Sequence, residues 1–190
     1  QAVTGDDQLR QRVAFALSEI FVTSFTNPNV DARGMADYYD MLGRNAFGNY
    51  RDLIEEVTLH PMMGVFLNML GNQKESPGRH PDENYAREIM QLMTIGLYKL
   101  NTDGTRALTL AGDPQPSYTQ SDIKGLAKVF TGWSWYSPSP TDGTFYGWPR
   151  DDNAPVEPMI VYSQYHSTAQ KRFLTANIPA SGSPDAPADL

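Results

Sequence analysis

The sequence contains no cysteine among its 190 residues. This absence excludes thiol catalysis, disulfide bonds and metal centres with cysteine ligands. Long apolar runs are also missing, because none approaches the roughly 18 residues that a membrane span requires. The best candidate, residues 62–70, is interrupted by Gly64 and Asn68 and predicts a core helix. The sequence therefore predicts no membrane span.

Positive charge and histidine are scarce. The chain has 15 Lys and Arg against 22 Asp and Glu, a net charge of −7 and a pI near 4.8. This balance argues against a nucleic-acid backbone or an anionic membrane surface as partner. The three histidines, His60, His80 and His166, share no metal-ligand spacing, so the sequence predicts no metal site and assigns no cofactor. A metal or redox-cofactor enzyme is the least favoured hypothesis.

Apolar periodicity predicts a mainly α fold, a multi-helix domain with a small β-hairpin and a long aromatic-rich irregular insertion. The predicted helices span residues 6–24, 30–44, 49–61, 62–70, 81–96, 117–130 and 166–174. Asp103 and Gly104 lie between alternating apolar residues, which predicts the hairpin. Thr119 followed by Asp122 resembles a capping box at the start of a helix.

Composition predicts one helical domain over residues 1–175, in a fragment or a processed chain. Within it, residues 133–163 shift to Pro, Gly, Asp and aromatic residues, and predict two short strands at 143–148 and 159–163. Residues 176–190 are rich in Pro, Ala, Ser and Asp, and predict a tail that resembles a linker.

Four polar residues share one face of the helix predicted after Pro81. Asn84, Arg87, Glu88 and Gln91 follow the i, i+3, i+4, i+7 spacing that places side chains together. A functional interpretation makes Glu88 a general acid/base or metal ligand, and Arg87 an anion partner. A structural clamp, in which Arg87 holds a neighbouring helix and Glu88 fixes its geometry, is favoured from spacing alone.

His166 precedes two hydroxyl side chains, Ser167 and Thr168. A side chain that exchanges protons near neutral pH, beside hydroxyls, predicts a role in acid–base chemistry. The alternative is an N-terminal cap region for a helix that begins at residue 167.

Aromatic residues are concentrated in the irregular region, where Trp133, Trp135 and Trp148 lie within sixteen residues. Such clustering predicts a flat surface for sugar rings or another hydrophobic partner. The alternative is a small core that holds a long loop in place.

Several stretches resemble one bacterial family, catalogued as domain of unknown function 1800. They are HPMMGVFLNML, HPDENYAREIMQLMTIGLYKLN, YTQSDIKGLAKVFTGW and YHSTAQKRFL. The pattern N-x-A-R-E-x-x-x-L-x-x-x-G over residues 84–96 is the most specific part. The resemblance implies that this chain is the interior part of a longer, exported protein with a periplasmic or secreted location. It implies no activity. Gln91 stands where many relatives have Glu, and Ser167 where many have Asp, which leaves Glu88 and His166 for any chemistry.

Two functional hypotheses follow. The first is an exported enzyme that acts on envelope or extracellular carbohydrate. Its catalytic residues would be Glu88, Arg87 and His166, and its substrate-binding residues Asn84, Gln91, Trp133, Trp135 and Trp148. The second is a non-catalytic helical module that binds a partner protein or glycan in the cell envelope. In either case, the rest of its own longer chain is a further partner.

Overall fold

A computed structural model describes residues 3–27, 29–147, 152–181 and 186–190. The chain forms two compact units. The first contains Gln1–Gly71 and Trp133–Tyr162, and the second contains Asn72–Gly132 and Ser163–Leu190. The predicted tail contributes a strand and a helical turn to the second unit, and the predicted domain boundary at residue 175 stays a prediction.

The described elements confirm the mainly α class. The helices are α1 Gln8–Ile20, α2 Ala32–Arg44, α3 Tyr50–Leu59, α4 Pro61–Phe66, α5 Asn84–Glu88, α6 Gln120–Val129, α7 Asp142–Tyr146 and α8 Ala186–Asp189. A π-helical turn, Ile89–Met93, follows α5, and a 3₁₀ turn spans Ser163–Tyr165. The strands are β1 Trp133–Ser134, β2 Ile160–Val161, β3 Lys171–Phe173 and β4 Ala176–Ile178. No helix in the described residues combines the length and apolar character needed to cross a membrane.

Side-chain caps set where three helices of the first unit begin. Asp31 accepts a hydrogen bond from a backbone N–H of the first turn of α2, and Asn49 does the same for α3. His60 caps α4, whose first residue is Pro61. These side chains accept hydrogen bonds from N–H groups that have no partner within the helix. Proline has no N–H group, so it needs no acceptor at the start of a helix.

The first unit is built around a buried apolar cluster. Met62, Val65, Trp135 and Ala154 pack together, with partly buried apolar residues around them. Gly34 lets α2 approach this cluster closely, because a Cβ there would lie 2.8 Å from the Met62 sulfur. Burial of such side chains from water is the main stabilising contribution to a core of this kind.

Backbone pairing and side-chain bonds order the aromatic-rich region of the first unit. β1 pairs with β2 in antiparallel register, which confirms the strand predicted at 159–163. The strand predicted at 143–148 is wrong, because its described residues form α7. Thr141 and Thr144 form a capping box that begins this helix, and such a box satisfies N–H groups that have no partner within the helix.

The second unit packs α6 against β3. The Thr119–Asp122 capping box is confirmed: the Thr119 hydroxyl accepts from the Asp122 N–H, and the Asp122 carboxylate accepts from the Thr119 N–H. The helix predicted over 166–174 is wrong, because residues 171–173 form β3, which pairs with β4. Leu174 has a φ of 49°, a left-handed conformation that ends regular structure and turns the chain into β4.

The turn predicted at Asp103-Gly104 is present, but the hairpin is only partly formed. Gly104 has a φ of 83°, and the Asn101 N–H donates to the Thr105 carbonyl at 2.8 Å. Beyond the turn, the described pairing consists of isolated bridges. A ring of three hydrogen bonds explains this: Ala107 N–H donates to Lys99 O, Lys99 N–H to Gln115 O, and Gln115 N–H to Ala107 O. Each residue bonds to two others, so no two-stranded ladder extends.

Candidate functional site

The predicted polar face lies where α5 continues into the π-helical turn. The Thr94 hydroxyl donates to the Ile89 carbonyl at 2.6 Å, and two successive N–H groups donate to the Met90 carbonyl. The sequence predicts one helix to Gly96, and the structure widens its last turns. Such π-helical turns are rare and are frequently found at functional sites. The widened turn contains Gln91 and directly follows Glu88.

Arg87 is held by a carboxylate one helical turn earlier. Its Nη2 atom donates to Glu83 Oε2 at 3.0 Å, and Gln120 Nε2 donates to the same oxygen at 2.5 Å. Glu83 therefore ties Arg87 to the start of α6. The spacing of the sequence predicted Glu88 as the neighbour of Arg87 and did not single out Glu83 or Gln120.

Tyr118 joins the same group from the residue before the α6 cap. Its hydroxyl donates to Gln91 Oε1 at 3.3 Å. Burial raises the pKa of Tyr118; the Arg87 charge acts in the opposite direction, and the Glu88 charge raises it again. The Tyr118 phenol therefore lies close enough to the charged groups of Arg87 and Glu88 to interact with both electrostatically. Sequence reasoning missed Tyr118, because only the packing of α5 on α6 brings it to Gln91.

Glu88 is half-buried and, within the described residues, its carboxylate makes no hydrogen bond or ion pair. The Asn84 amide side chain also has no hydrogen-bond partner in that part of the chain, although its N–H donates to Asp82. A carboxylate without a fixed partner, beside a guanidinium and a phenol, has the functional groups that proton transfer requires. We call Glu83, Arg87, Glu88, Gln91 and Tyr118 the polar cluster.

The two carboxylates of the polar cluster allow a matched test of structural roles. We expect Glu83→Gln to lower the thermal midpoint by a few degrees, corresponding to about 1 kcal/mol, because it weakens a partly exposed ion pair. We expect Glu88→Gln to leave the midpoint unchanged or raise it, because that charge has no partner to lose. Differential scanning calorimetry of both variants beside the wild type checks this.

The thermal midpoints of Glu83→Gln and Glu88→Gln together show whether Glu88 has a structural role. A fall in Glu88→Gln as large as that in Glu83→Gln would identify Glu88 as part of a structural clamp. Glu55→Gln on α3, an exposed glutamate of the first unit, controls for the loss of one negative charge.

His166 is fully buried and bonded at both ring nitrogens. Nδ1 lies 2.7 Å from the Thr131 carbonyl, and Nε2 lies 2.8 Å from Asp189 Oδ2. Both partners are oxygen acceptors, so the ring is held in place from two sides. Within the described residues, no hydrogen bond or ion pair joins His166 to the polar cluster. Its catalytic role stays a prediction.

Lys171 completes a buried ionic network around Asp189. Its Nζ atom donates to Asp189 Oδ2 and to the Ser167 carbonyl, each at 2.7 Å. Burial raises the pKa of Asp189, but hydrogen bonds from Lys171 and His166, with their charges, bring it below its ordinary value. The Ser167 hydroxyl in turn donates to Glu75 Oε1 at 2.9 Å. This network fixes α8 to the loop before β3.

The predicted substrate-binding tryptophans belong to the first unit. Trp133 is 5% exposed and Trp135 is 3% exposed, while Trp148 lies outside the described residues. Their burial matches the small core that was the alternative interpretation. Trp135 also lines a cleft, together with Tyr146. The binding role of the tryptophans stays a prediction.

His60 lines a second cleft of the first unit, of about 410 Å³, with Asp37 and several carboxylates. Burial lowers the pKa of His60 to about 4, although Asp37 acts to raise it. Its Nδ1 atom accepts from the Met62 N–H at 3.2 Å, so Nε2 holds the proton that faces Asp37 at 3.4 Å. His60 is therefore a neutral cap of α4. Among the described residues, no group of three His, Cys, Asp or Glu could hold a metal ion.

Comparisons with known proteins bear on the whole chain. A search of curated proteins and a search of solved structures each found no match. The family model described as "Protein of unknown function (DUF1800)" matches residues 1–189. This match covers both units and confirms the resemblance seen in the sequence motifs. The chain therefore belongs to the DUF1800 family of proteins of unknown function.

Proposed function

We propose that this chain is part of an exported bacterial protein that performs acid–base chemistry on envelope or extracellular carbohydrate. The observation that supports the proposal is the Glu88 carboxylate, which has no fixed partner among the described residues and acts electrostatically on Tyr118. Groups held in place without a stabilising partner are typical of functional sites, where chemistry and stability compete.

Each member of the polar cluster has a distinct role in this proposal. Glu88 transfers a proton to or from a sugar oxygen. The Tyr118 oxygen, whose O–H donates to Gln91, accepts a hydrogen bond from a sugar hydroxyl. Arg87, oriented by Glu83, stabilises negative charge that develops as the proton moves. Gln91 and Asn84 supply amides for sugar hydroxyls. His166 contributes indirectly, by holding the backbone at Thr131.

The proposal is tested by measuring reducing ends released from peptidoglycan sacculi, xylan, β-glucan and pectin. We expect the wild-type protein to act on one polymer, and Glu88→Gln to lower turnover about 100-fold, the contribution typical of a general acid or base. Glu55→Gln should retain wild-type turnover. Equal turnover in Glu88→Gln and the wild type would refute the role of Glu88.

The alternative is a non-catalytic helical module that binds a partner protein or glycan in the envelope. Two hydrogen bonds favour it, from Tyr118 to Gln91 and from Gln120 to Glu83. They tie both ends of the segment from Glu83 to Gln91 to the start of α6, which makes part of the polar cluster a structural clamp. No turnover on any polymer, with retention of the protein on immobilised sacculi or glycan, would favour this alternative.

Export is the second part of the proposal, and the family resemblance motivates it. Fractionation of the native cells, followed by detection with an antibody against this chain, gives a direct test. We expect the protein in the periplasmic or secreted fraction; recovery only with cytoplasmic markers would contradict export.

A further inference from the structure

A cleft of about 470 Å³ lies within the first unit, between the end of α4 and α7. Three asparagines, Asn27, Asn29 and Asn68, line it together with the aromatic residues Trp135 and Tyr146. Clefts of this size hold small ligands, and a few polar groups among apolar ones fix a ligand's orientation.

The charge of the lining limits the class of ligand. None of the described residues that line this cleft is charged. The cleft beside His60 differs, because Asp37 and other carboxylates line it. An ionic ligand would find no counter-charge among these described lining residues, and a purely apolar ligand would leave the amides without hydrogen bonds from the ligand. The lining therefore fits a neutral ligand with many hydroxyl or amide groups.

The aromatic residues provide the apolar surface that complements those amides. The Tyr146 ring is 60% exposed, and Phe145 packs against it edge to face, with centroids 5.0 Å apart. Trp135 is fixed in the core, and its carbonyl accepts a hydrogen bond from Tyr162. An amphipathic ring at a solvated edge can cover the C–H face of a sugar while amides bind the hydroxyls.

Asn68 adds a conformational argument. Its φ is 59°, in the left-handed region, two residues after α4 ends at Phe66. Glycine adopts this conformation without a steric penalty, and asparagine is the next most tolerant residue. A glycine would terminate α4 equally well. Asparagine at this position places an amide in the cleft that the turn itself does not need.

We infer that this cleft is a binding site for a neutral saccharide, with Tyr146 covering a sugar face and Asn68 binding hydroxyls. The inference deepens the proposed function and rests on it for the class of polymer. Binding at this cleft requires no proton transfer by Glu88. It gives the first unit a ligand of its own, so loss of binding and loss of turnover can be measured separately.

The test is isothermal titration of the full chain with cellohexaose, maltohexaose and chitohexaose as neutral probes. Hexagalacturonate, of equal length, is the charged comparison. We expect at least one neutral probe to bind, and Tyr146→Ala and Asn68→Gly each to weaken binding about tenfold or more. Asn68→Gly keeps the backbone conformation, so it removes the amide without destabilising the turn.

Two control variants make the outcome decisive. Phe15→Ala removes an aromatic ring that is 56% exposed on α1 and does not line the cleft, so its affinity should stay within about twofold. Glu55→Gln, on α3 and outside the lining of this cleft, should also bind as the wild type. The inference is overturned if no neutral probe binds below about 5 mM, if hexagalacturonate binds equally well, or if both cleft variants retain wild-type affinity.

Discussion

Gly125→Ala is expected to destabilise the second unit by at least about 4 kcal/mol, more than the roughly 1–3 kcal/mol of ordinary overpacking. A Cβ at Gly125 would lie 1.8 Å from the Arg172 carbonyl oxygen and 2.6 Å from its carbon. Both atoms belong to the backbone of β3, so no side-chain rotation can relieve the overlap. The helix α6 and the strand β3 would have to separate.

The measurement is the thermal midpoint, which we expect to fall by roughly 8–16 °C for a protein of this size. Because a typical domain is stable by only about 5–15 kcal/mol, poor soluble expression would be the extreme form of the same result. A midpoint within about 2 °C of the wild type would show that α6 and β3 are not packed as closely as described.

Gly43→Ala is the matched control for this prediction. Gly43 also lies in a helix, α2, but the nearest atom to an added Cβ is the Ala14 methyl group at 3.9 Å. This is an ordinary van der Waals contact. Alanine favours helices over glycine by about 1 kcal/mol, so we expect an unchanged or slightly higher midpoint. The same chemical change thus has opposite effects at two helical sites.

Acidification should lower the free energy of unfolding of the first unit, because the pKa of His60 is lower in the folded protein than in the unfolded chain. Burial lowers the pKa of His60 to about 4 in the folded protein, against 6.5 for an unperturbed histidine. This difference corresponds to roughly 3 kcal/mol, at 1.36 kcal/mol for each pKa unit. We expect the free energy of unfolding in urea to fall by about this amount between pH 6.5 and pH 4.

The direction of this effect follows from proton binding. Between pH 6.5 and pH 4, the unfolded chain holds a proton on this imidazole and the folded chain does not. Unfolding then takes up a proton, so acid favours the unfolded state. The stabilisation is complete above pH 6.5 and is lost as the pH falls towards 4.

The variant His60→Asn isolates the contribution of His60 protonation to acid sensitivity. Asparagine does not take up a proton in this range, but it can still accept the hydrogen bond from the Met62 N–H at the start of α4. This variant should lose less stability on acidification than the wild type. His80→Asn, which changes an exposed histidine, should retain the full loss. Equal acid sensitivity in the wild type and His60→Asn would contradict the burial argument.

The sequence was sufficient to predict features whose geometry depends on residues of a single helix or turn. The apolar periodicity predicted the long helices, and Thr119 with Asp122 predicted the capping box of α6. These features depend on neighbours within a few positions, which a single sequence displays directly.

Features that depend on distant partners could not be predicted in this way. Tyr118 meets Gln91 across 27 residues, and His166 meets Asp189 across 23. Residues 166–174 have helical periodicity, yet pairing of β3 with β4 and packing against α6 override it. Tertiary contacts of this kind outweigh local propensities of a few tenths of a kcal/mol per residue.

The ring of hydrogen bonds among Lys99, Ala107 and Gln115 has a consequence for how the second unit opens. In a ladder, terminal bonds break first and fraying proceeds gradually inward. A closed ring has no terminal bond, and movement of any one segment breaks two of the three bonds at once. The chain between Leu97 and Ser117 should therefore exchange its amide protons as one cooperative unit, on a timescale separate from that of the helices.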